Sequence, residues 1–280
     1  MQNRSTFQFY HTLTMIRTPG PLAAFLLFLI ASGFHQHSLA THQEAAPVFP
    51  PLIDATLTDL SAGLESGAFT SVDLVQAYIA RIRETNDVLH AVTEINPDAL
   101  NIAASLDAAR RDGQVFGPLH GIPVLIKNNI ATADRMNNTA GSYALLGATV
   151  PYDSTVAGKL RKAGAIILGK SNLSQWSGSR SSNTSSGWSA HGGQTQGAYH
   201  PGQDPCGSSA GSGVATSLGL AWATLGTETA GSIQCPACVN NVVGSKWAHT
   251  PFTGQRPRTQ DPAVILYAGA FWPSVFNVRD

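Results

Sequence analysis

Charge is scarce in this 280-residue chain. Asp, Glu, Lys and Arg make up 12% of it, about half of the roughly 25% usual for soluble domains. Hydrophobic residues reach 43%, the reverse of the balance that keeps a chain disordered. Neither sign of charge dominates, with 17 Lys and Arg against 17 Asp and Glu. A dedicated nucleic-acid binder needs clustered basic residues, so that class is excluded. Cysteine is rare as well: three residues, an odd number, cannot build a disulfide framework. Long apolar runs are missing save for Leu22 to Ala31, and its ten or so residues fall short of the roughly 20 that span a bilayer. No stable membrane span is expected. The length is enough for one large domain or two small ones with a core of their own.

That one run has another use. Arg4 and Arg17 precede it, no acidic residue appears before Glu44, and Ser38-Leu39-Ala40 follows. A positive flank, a short apolar segment and a small-residue cleavage site have the shape of a secretory signal. Residues 1–40 are therefore expected to be a signal peptide and residues 41–54 a linker, with Met15 a plausible true start. Secretion would open Asn137, Asn172 and Asn183, each in an N-x-[ST] sequon, to glycosylation.

Further on, Thr70-Ser-Val-Asp73 ahead of Leu74, Val75, Tyr78, Ile79 and Ile82 reads as a capped amphipathic helix. A second helix is expected over Asp98–Arg111, ended by Asp112-Gly113, and a third over Ser154–Ala163. Ile122–Ile126 and Ala165–Leu168 are short apolar runs that read as buried strands. From Ser174 to Gly213 the chain is rich in Ser and Gly and poor in apolar anchors; a compact domain keeps so long an irregular stretch mainly when it is functional. Helices alternating with buried strands predict an α/β fold with a mixed β-sheet core.

Several motifs fail on physical grounds. Gly164-Ala-Ile-Ile-Leu-Gly-Lys-Ser171 has the spacing of a phosphate-binding loop, but its four intervening residues are strand formers, not a cradle of amides. Gly207-Ser-Ser-Ala-Gly211 has the pattern of a nucleophile elbow. An elbow needs a strand before it and an acid and then a His after it. Two prolines occupy the strand's place, although Ser209, Glu228 and His249 keep the required order. An α/β-hydrolase using Ser209 thus stands as an alternative. Cys235-Pro-Ala-Cys238 lacks the second pair a zinc site requires, and buried, inert thiols are the expectation there.

What remains is a constellation of Lys127 at a strand end, Ser208 and Ser209 in a Gly-rich turn, and Ser232 after Gly226-Thr-Glu-Thr-Ala-Gly231. Small residues around a serine let backbone amides converge, as an oxyanion hole needs.

Taken together, Gly121-Ile-Pro-Val-Leu-Ile-Lys-Asn-Asn129, Gly164–Asn172, Gly207-Ser-Ser-Ala-Gly-Ser212 and Gly226-Thr-Glu-Thr-Ala-Gly-Ser-Ile233 resemble the amidase signature family, in the family's order, over about residues 55 to 246. The likeness is strongest to fungal amidases related to the glutamyl-tRNA amidotransferase A subunit. It implies an amide hydrolase acting on linear carbon–nitrogen bonds other than peptide bonds, with a small-molecule amide substrate and no metal or cofactor. Ser232 would be the nucleophile, Ser208 the bridging serine after a cis Gly207–Ser208 peptide, and Lys127 the base. The amides of Thr229, Ala230, Gly231 and Ser232 would form the oxyanion hole. A neutral Lys at pH 7 costs about 4.6 kcal/mol unless its site lowers the pKa from about 10.4; burial beside Val124, Leu125 and Ile126 would do so. Ammonia transfer to a tRNA-linked substrate would need partner subunits, and the signal segment argues against it.

Three positions depart from the family pattern: Asn128, usually Asp; His191, usually Arg in related fungal sequences; and everything after Lys246. Residues 247–280 show no family-like motif and no good strand or helix periodicity. The expectation is a product truncated by an altered frame or a retained intron, lacking the C-terminal half of the fold. A non-catalytic relative is the second reading. The sequence leaves oligomeric state and substrate identity open.

Overall fold

The structure is a computed structural model. It describes residues 46–181 and 183–246 and the backbone of residues 264–267. The expected signal peptide (1–40), residues 41–45 of the expected linker and the tail apart from those four residues lie outside the described residues. The account that follows concerns the unit that begins at Pro47.

Helices α1 (Leu57–Ser66) and α2 (Ser71–Leu89) both start with a capping box. Thr56 pairs with Asp59, and Thr70 with Asp73, so each side chain satisfies an amide the helix itself leaves open. Strand β1 (Val92–Ile95) follows, then α3 (Ala99–Arg111), β2 (Pro123–Lys127), α4 (Thr155–Lys162) and β3 (Ile166–Ser171). Two-residue strands β4 (Trp188–Ser189) and β5 (Gly193–Gln194) pair with each other in the Ser/Gly-rich stretch. The chain continues through α5 (Ala210–Ser217), β6 (Ala223–Gly226), α6 (Gln234–Val239), β7 (Val243–Gly244) and β8 (Val264–Tyr267).

Six strands form one mixed sheet in the order β1-β3-β2-β6-β8-β7. Its centre is parallel: β2 runs with β3, Lys127 opposite Ser171, and with β6, Ile126 opposite Leu225. The outer strands β1, β8 and β7 join antiparallel. Strand β2 is buried on both faces, which explains its unbroken apolar run. Leu125 packs with Leu74, Val75 and Tyr78 of α2 and with Val214 of α5, while Val124 and Ile126 pack with Leu160 of α4 and with Leu225. Between these layers the carboxyl ends of β2 and β6 lie side by side, where open α/β sheets place their ligands.

The α/β expectation holds, and the helices expected over Asp98–Arg111 and Ser154–Ala163 lie within a residue of those ends, while the helix expected from Thr70 runs on to Leu89. The strand after Gly164 runs three residues further than expected, through Gly169-Lys170-Ser171. The tail expectation needs correction, because Val264–Tyr267 is a strand pairing with β6 and β7. Its Val-Ile-Leu-Tyr is a continuous run and not an alternation, so a search for period two passes over it. Among the described residues no helix is long and apolar enough to cross a membrane.

Candidate active site

Strand β2 ends in Lys127, whose side chain is fully buried. Its Nζ donates to Ser208 Oγ at 2.7 Å, to Thr227 Oγ1 at 2.8 Å and to Thr227 O at 3.2 Å. Three acceptors match the three protons of an ammonium, and none of them is a carboxylate. Burial therefore governs its proton affinity: it lowers the lysine to about 7, against the pull of the Glu228 charge in the other direction.

Ser208 follows a cis Gly207–Ser208 peptide and is buried. Its carbonyl accepts from the Ser174 amide at 3.0 Å, which fixes the turn ahead of α5. Ser232 lies in the turn between Gly231, at φ 78°, and α6. The Ser232 carbonyl accepts from the Ser209 amide at 3.0 Å, so the two serine turns are joined through their backbones. The hydroxyls are not: among the described residues Ser232 Oγ makes no hydrogen bond. The structure thus brings Lys127 and Ser208 into contact and leaves the Ser208-to-Ser232 link unmade.

The amides of Thr229, Ala230, Gly231 and Ser232 line this turn. Among the described residues none of them donates to a backbone carbonyl. Glu228 sits beneath them. Burial pushes its carboxyl up, but the amides of Gln234 and Ile233, the Lys246 ammonium and the Gly231 amide outweigh that and hold it at about 2. The contacts are short, 2.7 Å from Ile233 N, 2.9 Å from Gln234 N and 3.1 Å from Lys246 Nζ. Glu228 is the anchor of the turn.

Ser209 does not serve as an elbow nucleophile. It is fully buried. Its hydroxyl donates to Thr227 O at 3.2 Å and accepts from Thr227 N at 3.1 Å, and the last strand before it ends at Gln194, so no strand leads directly into its turn. The Glu228 carboxylate is already occupied, and His249 lies outside the described residues. Gly164–Ser171 is no phosphate cradle either. Lys170 lies in β3, buried, donating to Ile130 O at 2.6 Å and Asn138 Oδ1 at 3.2 Å, and burial lowers it to about 8 despite nearby carboxylates.

The cysteine expectation is overturned. Cys206 and Cys235 form a disulfide, with their Cα atoms 5.8 Å apart, and Cys238 is free and exposed. Cys206 precedes Gly207–Ser208 and Cys235 follows the Ser232 turn, so the bond ties the two serine turns together. Twenty-nine residues of separation hide that proximity from the sequence.

Thr227 and Asn129 were missed as site residues. Thr227 holds Lys127 by both its oxygens, and Asn129 Nδ2 donates to Thr227 Oγ1 at 3.0 Å. The available signal was position alone: Thr227 follows the end of β6, as Asn129 follows the end of β2.

Asn128 and His191 belong to one hydrogen-bonded chain. Thr93 Oγ1 donates to Lys170 O at 3.1 Å and so accepts from Asn128 Nδ2 at 2.9 Å. Asn128 Oδ1 accepts from Thr139 Oγ1 at 2.7 Å and from Gly141 N at 3.2 Å. With its proton committed to Asn128, Thr139 must accept from His191 Nδ1, 2.9 Å away, which assigns the Nδ1–H tautomer. Among the described residues no three His, Cys, Asp or Glu side chains gather as metal ligands would.

The sequence pattern of the Amidase family matches residues 73–261. The chain belongs to the amidase signature family. A relative from Arthroderma benhamiae is 55% identical over 218 residues, which are 70% of this chain and 37% of that protein. The glutamyl-tRNA(Gln) amidotransferase A subunit of Chloroflexus aurantiacus is 40% identical over 192 residues, 68% of this chain and 38% of that one. Among solved structures, the native peptide amidase of Stenotrophomonas maltophilia superposes with a TM-score of 0.66 at 49% identity, over 69% of this chain and 40% of its own. The chain therefore spans well under half the length of these amidase signature relatives.

Proposed function

We propose that this chain carries the catalytic centre of an amide hydrolase, with Ser232 as nucleophile, Ser208 as proton bridge and Lys127 as base. The observation that supports it most is the buried Lys127 ammonium position, 2.7 Å from Ser208 Oγ and in contact with no carboxylate. A lysine held near neutrality is available to take a proton. With two N–H bonds directed to Thr227, the remaining direction of a neutral Lys127 faces Ser208. The Ser208 proton moves to Lys127 as Ser208 takes the proton of Ser232. Ser232 then attacks the amide carbonyl, and the charge on the carbonyl oxygen meets the amides of Thr229, Ala230 and Ser232, the Gly231 amide being turned to Glu228. The proton returns by the same path to the leaving nitrogen, and water releases the acid from the acyl-enzyme. This relay needs the Ser232 hydroxyl turned onto Ser208 Oγ.

The substrates in this reading are carboxylic amides other than peptide bonds, and the site is secreted. A Cys206–Cys235 disulfide supports an oxidising compartment.

A second reading, a non-catalytic relative, draws on the unmade Ser208–Ser232 contact. Labelling the purified protein with a fluorophosphonate probe and mapping the modified serine separates the two. Label on Ser232 that disappears in Lys127→Ala supports catalysis. Absence of label from a demonstrably folded protein supports the second reading.

A further inference from the structure

The three N-x-[ST] sequons that follow the expected signal segment differ in what the fold does with the nitrogen that would carry a sugar. Asn172 is fully buried. Its Nδ2 donates to His90 O and Gly193 O at 3.1 Å each and to Thr195 Oγ1 at 3.0 Å, and its Oδ1 accepts from Ser189 Oγ at 2.7 Å. A glycan there cannot coexist with this fold. Asn137 is half-buried, and its carboxamide is engaged at both ends. Nδ2 donates to the two Glu94 oxygens at 3.1 and 3.2 Å, and Oδ1 accepts from Gly147 N at 2.9 Å.

Asn183 is the opposite case. It and Ser185, the hydroxyl residue of its sequon, are exposed, and among the described residues the Asn183 carboxamide makes no hydrogen bond; only its backbone amide is used, donating to Ser181 Oγ at 3.0 Å. The loop that carries it is pinned at both ends beside the site. Ser177 Oγ accepts from Asn129 at 3.1 Å, and Gly187 N donates to Ser174 Oγ at 2.9 Å. The disulfide between Cys206 and Cys235 fits the oxidising lumen in which such transfer takes place.

We propose that Asn183 is the N-glycan acceptor of this chain and that Asn137 and Asn172 are left unmodified in the folded protein. The donor is an oligosaccharide carried on a lipid diphosphate. Asn183 Nδ2 forms a bond to the anomeric carbon of the first sugar, the bond from that carbon to the diphosphate oxygen breaks, the lipid diphosphate leaves, and the amide gives up one proton. The proposal depends on entry into the secretory pathway and not on the catalytic reading, so a silent active site does not touch it.

The test is expression of the full chain in a eukaryotic secretory host. Peptide N-glycosidase treatment in heavy-oxygen water is followed by peptide mapping, with Asn183→Gln and Ser185→Ala run alongside. Both substitutions fall on an exposed loop and spare the core, so neither is confounded by misfolding. Heavy-oxygen Asp at position 183 in the parent chain, with residues 137 and 172 unlabelled, is the expected result. Loss of the single-glycan mobility shift in both variants completes it. A glycan mapped to Asn137 or Asn172 in folded protein overturns the proposal. So does a folded chain with no glycan, and scoring its compartment then separates a leader that failed from an acceptor that failed.

Discussion

Replacing Lys127 by Met should make the protein more stable and abolish any hydrolysis. Met keeps the length and apolar stem of the lysine and removes only the ammonium. The unfolded lysine holds its proton up to about 10.5, whereas the folded one releases it at about 7. Between those values the unfolded state binds more protons, so parent stability rises with pH by about 1.4 kcal/mol per unit. Below about 7 both states are protonated and the full penalty of the buried charge is present, roughly 5 kcal/mol from the size of the shift. At pH 7 the penalty is still about 4 kcal/mol, and at pH 9 about 2. Of the three acceptors that Met deserts, Thr227 Oγ1 keeps Asn129 and Thr227 O keeps Ser209, while Ser208 Oγ loses its lysine partner, and what they lose does not vary with pH. Urea denaturation of both proteins at pH 7, 8 and 9 should show the Met variant ahead by an amount that shrinks by about 2 kcal/mol over the series. A gap that stays constant with pH would falsify a lysine titrating near 7.

Hydrolysis by the parent should rise with pH through about 7 and then level off, because Lys127 must be neutral to act; a bell centred on a carboxylate range in the pH–rate profile would contradict this. Replacing both Cys206 and Cys235 by Ser releases a cross-link between positions 29 apart and should lower stability by about 3–4 kcal/mol, read by denaturant titration, whereas Cys238→Ser should leave it unchanged. Gly211→Ala should destabilise by about 1–3 kcal/mol, measured the same way, because a Cβ there would overlap the Ala91 carbonyl oxygen and the Asn172 backbone. Ser209→Ala should lower stability by about 1–3 kcal/mol through the loss of its paired bonds to Thr227, yet keep probe labelling on Ser232; label lost with the fold intact would revive Ser209 as the nucleophile.

What could be read in the sequence was what local chemistry decides. Thr70 and Asp73 announce a helix start because a capping box involves only near neighbours. The Val-Leu-Ile run of β2 announces a strand buried on both faces. Strands β1 and β6 were not legible, since Val-Thr-Glu-Ile and Ala-Thr-Leu-Gly are too short to show a period of their own, and pairing with neighbours far along the chain decides them. The site divides the same way. Lys127, Ser208 and Ser232 came from motifs in family order, not from spacing alone. Thr227's grip on Lys127, and the bond between Cys206 and Cys235, depend on which turns the sheet sets side by side.

The hydrogen-bonded chain beside the site has a direction. Each member from His191 through Thr139, Asn128 and Thr93 gives its proton onward, ending on the Lys170 carbonyl. The head of such a series must be a donor that asks nothing back. An Arg meets that condition at any pH, and His191 meets it as the Nδ1–H tautomer, with the imidazole's acceptor left at Nε2. His and Arg at this position would therefore give the whole series the same polarity. Asp in place of Asn128 would not: with no proton to pass on, it would draw the Thr93 hydroxyl toward itself and strip the Lys170 carbonyl of that partner.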